Sequence, residues 1–187
     1  MQMPRTRSLC VFCGARNGAD PRWAASARAF GAEAARRGWR LVFGGGHVGL
    51  MGAVADGALA AGGEVVGVIP RTLMERELAH RSLSRLEVVD DMARRKVRMI
   101  ELSDAFVALP GGLGTLDELF EVLTLRQIGE HDKPIGLHDQ DGYWQPLLVA
   151  CEAMVSAGFV HPRDCSTMLV HASIDALLDL LDAAVPG

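Results

Sequence analysis

Short, near-continuous apolar runs alternate along the chain with longer stretches whose apolar residues recur about every 3.6 positions. The apolar runs are typical of strands covered on both faces, and they predict strands at residues 8–13, 40–43, 64–69, 86–89, 105–109, 134–137 and 168–170. The periodic stretches predict helices at residues 21–37, 49–61, 92–102, 115–127, 143–157 and 173–184. Because the two kinds of element alternate, we predict a parallel sheet with helices packed on both faces.

This order of elements is typical of a Rossmann-like, doubly wound α/β fold. No linker or low-complexity stretch divides the sequence, so we predict a single domain over residues 1–187, with its core at about residues 8–182. In such folds ligands bind beyond the carboxyl ends of the strands. Two glycine-rich corners fall at these ends, LVFGGGHVGLMG at residues 41–52 and ALPGGLGTLDE at residues 108–118, and we expect a ligand there.

The first corner contains Gly44-x-Gly46-x-x-Gly49, which matches a dinucleotide-binding pattern. A nicotinamide site also needs an acidic residue after the next strand, where this chain has Pro70 and Arg71. A P-loop is excluded because the sequence contains no Gly-Lys pair. A mononucleotide or another small phosphate remains, and the expected phosphate-contacting glycines at the first two strand ends are Gly14, Gly44, Gly45 and Gly46.

The second corner leads directly into a predicted helix. Three glycines stand directly before Thr115, namely Gly111, Gly112 and Gly114. Backbone N–H groups at a helix start attract anions, so this corner is a candidate phosphate site. An alternative is a tight turn in which Thr115 is the N-cap and Glu118 completes a capping box. The local pattern alone leaves both interpretations open.

The helical period favours a chemical role for Glu118. At about 100° per residue, Glu118 falls inside the apolar arc of its helix, beside Val122 and Leu125. Asp117 and Glu121 fall outside that arc and are expected in solvent. A carboxylate on the buried flank of a first helical turn is a candidate for chemistry.

The helix predicted at residues 92–102 places two cations among its core-facing positions. Lys96 lies near the centre of the inward arc and Arg95 near its edge. Buried cations are costly unless they are paired or line a cleft. A structural pair with Asp91 or another acid is the alternative, and we favour an anion-binding cleft.

The charge balance and the lengths of the apolar runs argue against several classes of partner and location. A formal net charge of −4 lacks the basic excess of general nucleic-acid binders, so we predict no nucleic-acid partner. No apolar stretch reaches the roughly 20 residues that a membrane-spanning helix needs, so we predict no membrane partner. The apolar run near the N-terminus has about five residues, too few for a signal peptide, and we expect a cytoplasmic protein.

A Cys10-x-x-Cys13 pair suggests a metal or redox site. The pair lies in a predicted strand, where residues three apart point to opposite faces, and no second pair at metal-ligand spacing exists. We therefore predict no metal.

The segment from Pro110 to Glu118 reads P-G-G-x-G-T-x-x-E, and Asp91–Met92 is followed by the Arg95–Lys96 pair. Together these motifs resemble the signature of the LOG (Lonely Guy) family of cytokinin riboside 5'-monophosphate phosphoribohydrolases, many of whose bacterial members were formerly labelled lysine decarboxylases. The segments FGGGHVGLMGAVADGAL, GVIPRTLMERE and DKPIGLHDQDGYWQPLL are also similar, so the resemblance runs from about residue 9 to residue 181.

The resemblance implies hydrolysis of the N-glycosidic bond of an N6-modified AMP, such as isopentenyl-AMP, to free base and ribose 5-phosphate. It implies Arg95 and Glu118 as catalytic residues, a small-molecule nucleoside monophosphate as substrate, no cofactor, and a homodimer. A carboxylate suits this reaction because positive charge develops on the ribose. The substrate-binding residues that the family pattern implies are Glu77, Lys96, Gly111, Gly112, Leu113, Gly114, Thr115 and Thr124.

The sequence departs from the family pattern at four positions. Ala15 removes a hydroxyl after the first strand, Leu125 stands where tryptophan is frequent, Ala93 where histidine is frequent, and His138 where asparagine is usual. Two alternatives therefore stay open. One is a nucleosidase that acts on AMP or other nucleoside monophosphates without preference for cytokinins. The other is a non-catalytic carrier of a nucleotide or molybdenum cofactor.

Overall fold

Every strand that the apolar runs predict is present in the computed structural model, which describes residues 6–76 and 79–185. The strands are β1 (Ser8–Phe12), β2 (Arg40–Phe43), β3 (Val65–Pro70), β4 (Arg85–Val89), β5 (Ala105–Ala108), β6 (Ile135–His138) and β7 (Met168–His171). The helices are α1 (Arg22–Arg36), α2 (Gly49–Ala60), α3 (Arg71–Glu75), α4 (Met92–Glu101), α5 (Leu113–Gln127), α6 (Gln145–Ser156), α7 (Pro162–Cys165) and α8 (Ile174–Ala184).

The strands form one sheet in the order β4-β3-β2-β1-β5-β6-β7, and every neighbouring pair is parallel. Strand β1 is central, and its Val11 pairs with Phe43 of β2 on one side and Val107 of β5 on the other. The chain builds outward through β2 to β4 and then returns to the other side of β1. The order confirms the Rossmann-like doubly wound fold, and it puts the topological switch point between β1 and β5.

Two apolar layers cover the sheet, one on each face. Helices α1, α2 and α8 pack on the first layer, which contains the buried Phe30, Val54 and Leu178. Helices α4, α5 and α6 pack on the second, which contains the buried Met99 and Leu119. Burial on both faces explains why the strands read as continuous apolar runs rather than as alternating ones.

The predicted element ends differ from the observed ones by one or two residues, and three short helical segments were not predicted. These are α3, α7 and a 3-10 turn at Gln140–Gly142. Segments of three to five residues are too short to show a helical period. Helix α6 begins at Gln145, two residues after its predicted start, because it follows this turn, in which Asp141 adopts a left-handed conformation with φ 53°. None of the helices in the described ranges is long and apolar enough to cross a membrane.

Candidate active site

A cavity of about 640 Å³ opens at the switch point, beyond the carboxyl ends of β1 and β5. Its volume suits a nucleotide-sized ligand. Three segments form most of its wall: the loop after β1, the corner between β5 and α5, and the start of α4. The residues that line it are Cys13, Gly14, Ala15, Arg16, Asn17, Gly18, Trp23, Leu50, Met51, Met92, Arg95, Pro110, Gly111, Gly112, Leu113, Gly114, Thr115, Asp117, Glu118 and Tyr143.

Helix α4 carries Arg95 into this cavity. The helix begins after Asp91, whose side chain accepts a hydrogen bond from the Arg94 N–H and so serves as the N-cap. Arg95 lies one turn on and is only 7% exposed. Its guanidinium rests on Gly44, where an added Cβ would lie 1.7 Å from Nη2. A side chain at position 44 would therefore displace the Arg95 guanidinium.

Arg95 is incompletely satisfied. Its Nε is buried and has no hydrogen-bond partner among the described residues. A buried guanidinium with an unused N–H costs free energy unless a ligand accepts from it. Arg95 lines the cavity through other atoms of its side chain, whereas Nε itself is shielded.

Helix α5 carries Glu118 to the same place. The helix begins at Leu113 with Gly112 as N-cap, and no side chain caps it. Thr115 is thus the third helical residue rather than the N-cap, and the capping-box interpretation of Thr115 and Glu118 is wrong. Glu118 is 9% exposed on the buried side of the first helical turns, as its place in the apolar arc predicted.

Glu118 and Arg95 face each other across the cavity floor, with Oε1 3.4 Å from Nη2. Burial raises the pKa of Glu118 to about 7, an effect that the Arg95 charge opposes and the nearby Asp117 charge strengthens. A carboxyl group with a pKa near neutrality can hold or release a proton at physiological pH, which is the property expected of a general acid or base.

The corner from Pro110 to Thr115 closes the other side of the cavity. An added Cβ on Gly111 would lie 2.0 Å from Thr115 Oγ1, so only glycine fits there. The Pro110 carbonyl accepts from the Gly14 N–H at 3.1 Å, which ties the corner to the end of β1. Because α5 has no side-chain cap, its first N–H groups are available to an anion.

The phosphate-loop glycines predicted at the first two strand ends separate in the structure. Gly14 lines the cavity, whereas Gly44, Gly45 and Gly46 are outside the described lining. Gly44 supports Arg95, and Gly45 accepts at its carbonyl from the His80 N–H at 2.8 Å. The three glycines after β2 thus allow close packing behind the site. Leu50 and Met51, at the end of the same corner, line the cavity together with the corner after β5.

Two other predicted substrate-binding residues lie away from the cavity. Lys96 forms ion pairs with Asp117 and Glu121 of α5, so the alternative of a structural pair describes its contacts better than a cleft. Thr124 lies in a separate open groove on α5, beside Phe120. Contact between either residue and substrate stays a prediction. Glu77 lies outside the described residues.

Sequence reasoning missed the aromatic wall of the cavity. Trp23 of α1 and Tyr143, just before α6, meet edge-on with ring centroids 5.6 Å apart. The Tyr143 hydroxyl donates to the Gly111 carbonyl at 2.5 Å. Residues 23 and 143 are far apart in sequence, and no local pattern marks either as part of a site. The one available signal was that Tyr143 is the only tyrosine of the chain.

The cysteines follow the strand geometry that the sequence predicted. Cys10 lies in the apolar layer under α4 and α5, and Cys13 in the layer under α1 and α2, so the two face opposite sides of the sheet. Burial raises the pKa of both thiols. In the ranges 6–76 and 79–185, no three His, Cys, Asp or Glu residues are grouped so that they could hold a metal ion.

The four departures from the family pattern lie at different distances from the cavity. Ala15 lines it directly, so the missing hydroxyl is a difference at the site itself. Ala93 is exposed, and Leu125 lies in the groove beside Thr124. His138 is buried on the α1 side, where its Nε2 lies 3.0 Å from Ser26 Oγ.

Fold and site together define the class of this protein: a Rossmann-like α/β protein with an uncapped helix N-terminus and a buried Arg–Glu pair at the topological switch point. The family model described as "Possible lysine decarboxylase" matches residues 51–181. The chain belongs to this family, the LOG family, and the resemblance seen in the sequence is confirmed.

Named relatives cover nearly the whole chain. It is 46% identical over 186 residues to the cytokinin riboside 5'-monophosphate phosphoribohydrolase LOG3 of Arabidopsis thaliana, with 100% of this chain and 86% of that protein covered. It is 45% identical over 176 residues to the cytokinin riboside 5'-monophosphate phosphoribohydrolase of Rhodococcoides fascians, with 94% and 89% covered.

A solved structure with a similar fold is the molybdenum cofactor binding protein of Rippkaea orientalis. Its TM-score is 0.73 at 23% identity, with 96% of this chain and 98% of that chain covered. At this identity the likeness concerns the fold alone.

Proposed function

We propose that this protein hydrolyses the N-glycosidic bond of N6-modified adenosine 5'-monophosphates such as isopentenyl-AMP, releasing the free base and ribose 5-phosphate. The observation that carries the proposal is the Arg95–Glu118 pair, buried at the floor of the cavity beside an uncapped helix terminus. The names of relatives at 45% and 46% identity supply the substrate class.

The corner from Pro110 to Thr115 binds the 5'-phosphate. The partial positive charge of the α5 N-terminus and its free N–H groups attract the phosphate oxygens. Gly111, Gly112 and Gly114 let these oxygens approach the backbone closely. Since the helix terminus supplies the positive end, phosphate binding here needs no metal ion.

Glu118 acts at the anomeric carbon. As the bond from C1' to the base nitrogen breaks, positive charge develops on the ribose, and an ionised carboxylate stabilises it. The electrons of the broken bond go to the base, which takes up a proton, and a water oxygen bonds to C1'. Glu118 either stabilises the cation or orients this water and accepts its proton.

Arg95 holds this arrangement in place. Its Nη2 lies 3.4 Å from Glu118 Oε1, and its buried Nε has no partner among the described residues. The ribose hydroxyls are suitable acceptors for the guanidinium of Arg95. Arg95 also lowers the pKa of Glu118, so that part of the enzyme has an ionised carboxylate at neutral pH.

We also propose a cytoplasmic homodimer. Support comes from α5, where the exposed Leu113 and Phe120 lie on one face, and from the exposed Ile128 directly after the helix. A sedimenting species of about twice the 20.0 kDa chain mass is expected. Phe120→Arg should shift it towards the monomer, whereas Phe159→Arg, at an exposed residue after α6, should not. A monomeric wild type at micromolar concentration contradicts the dimer.

The reaction is tested with three substrates: isopentenyl-AMP, AMP and isopentenyladenosine, which lacks the phosphate. Wild-type protein is expected to release ribose 5-phosphate and base from the first, and to act poorly on the nucleoside because the phosphate corner is then empty. The ratio of kcat/KM for isopentenyl-AMP and AMP measures preference for the prenylated base. Binding of both nucleotides without release of ribose 5-phosphate overturns the proposal.

A further inference from the structure

Three successive carbonyl groups of the phosphate corner each accept a hydrogen bond. The Pro110 carbonyl accepts from the Gly14 N–H at 3.1 Å, and the Gly112 carbonyl from the Leu116 N–H at 3.1 Å. Between them, the Gly111 carbonyl accepts from the Tyr143 hydroxyl at 2.5 Å. Tyr143 is the one side chain in this set, and it comes from a distant part of the sequence.

The hydrogen bond from Tyr143 fixes the direction of the Gly111 carbonyl, and with it the direction of the Gly112 N–H. The peptide between Gly111 and Gly112 is planar and trans, so its C=O and N–H point in opposite directions. Holding the Gly111 carbonyl on Tyr143 therefore sets the direction of the Gly112 N–H at the α5 terminus. A carbonyl oxygen that turned towards the phosphate would instead repel it.

Tyr143 is itself firmly held. The buried Asp139 carboxylate accepts from the Trp144 N–H at 2.7 Å and from Gln145 Nε2 at 2.5 Å, which fixes the turn before α6. The Tyr143 ring packs edge-on against Trp144 and Trp23, with centroids 5.0 and 5.6 Å away. Although the side chain is 39% exposed, these contacts leave its hydroxyl little freedom.

We propose that Tyr143 is a positioning residue for the phosphate corner, whose hydroxyl orients the Gly111–Gly112 peptide so that the start of α5 presents N–H groups to the substrate phosphate. The proposal rests on the proposed function for the identity of the anion. It assigns Tyr143 to phosphate recognition and not to bond cleavage.

The test is Tyr143→Phe, which removes the hydroxyl and keeps the ring contacts. One hydrogen bond of this kind is worth about 1 kcal/mol, so KM for isopentenyl-AMP should rise about fivefold, with a much smaller change in kcat. The inhibition constant of ribose 5-phosphate should rise by a similar factor. That of adenosine, which carries no phosphate, should stay the same. If Tyr143 had only a general structural role, Tyr143→Phe would weaken the binding of all three ligands by similar factors.

A second measurement separates this proposal from the proposed function. Calorimetric titration with inorganic phosphate is performed on wild type and on Tyr143→Phe, without any reaction. Weaker phosphate binding by the variant is expected whether or not the protein hydrolyses nucleotides. Equal phosphate affinity, or equal KM values in an active enzyme, overturns the role of Tyr143 and leaves the proposed function standing.

Discussion

At the scale of single residues, the site depends on a carboxyl group, that of Glu118, whose pKa its surroundings shift to near 7. Burial raises the pKa of Glu118 to about 7, and Arg95, 3.4 Å away, keeps it from rising further. The same glutamate in solvent would be fully ionised at pH 6, but it would interact weakly with a developing positive charge. Burial therefore lowers the fraction of protein molecules in which Glu118 is ionised. In the molecules where it is ionised, burial strengthens its attraction for a developing positive charge.

This balance predicts the pH dependence of the reaction. If the ionised carboxylate is the active form, kcat/KM rises about tenfold per pH unit below 7 and levels off above it, because Glu118 of the free enzyme loses its proton through that range. Asp117→Asn removes a neighbouring negative charge that raises the pKa of Glu118, so the midpoint should move to lower pH. A wild-type midpoint near 4.5, the ordinary value, contradicts the assignment.

At the scale of elements, the corner between β5 and α5 joins the proposed phosphate site to the rest of the fold. An added Cβ on Gly111 would meet Thr115 Oγ1 at 2.0 Å and the Gly14 backbone nitrogen at 2.8 Å, whereas one on Gly114 would meet nothing within 4 Å. The two glycines are three residues apart in one motif, yet only Gly111 is required by packing. Gly114 has open space beside it, as the proposed approach of a phosphate requires.

Unfolding measurements distinguish these two glycines. Gly111→Ala should lower the free energy of unfolding by about 1–3 kcal/mol, because the Gly14 backbone cannot move aside cheaply. Gly114→Ala should leave it unchanged or raise it by up to about 1 kcal/mol, since alanine is the better helix former. Urea denaturation of both variants provides the comparison. Equal losses of stability would show that the corner is not as tightly packed as the structure indicates.

At the scale of the whole molecule, much of the fold could be predicted because both faces of the sheet are buried. Continuous apolar runs gave the strands, and their alternation with periodic stretches gave the doubly wound class. Arg95 and Glu118 could also be singled out, since each is a charged residue on or near the apolar arc of its own helix, but neither pattern predicts that the two side chains meet. The order of the strands brings α4 and α5 together on one face, so two helical patterns converge at one site.

The rest of the site depends on contacts that no local pattern encodes. Tyr143 reaches Gly111 only because the turn after β6 lies beside the corner after β5 in the folded sheet. Lys96 has an inward position in its own helix, but its partners Asp117 and Glu121 belong to another helix. A periodicity argument treats each helix alone and cannot see such pairs. These residues were therefore missed or assigned differently.

The most direct test of the account compares wild type with Glu118→Gln, which keeps the shape of the side chain and removes its charge. Release of ribose 5-phosphate from isopentenyl-AMP is measured for both proteins, and nucleotide affinity is measured in parallel. The account predicts that kcat falls at least about 100-fold in the variant while the dissociation constant changes much less, because Glu118 acts mainly in the transition state. A variant that binds the nucleotide and releases ribose 5-phosphate at a rate close to that of wild type contradicts it.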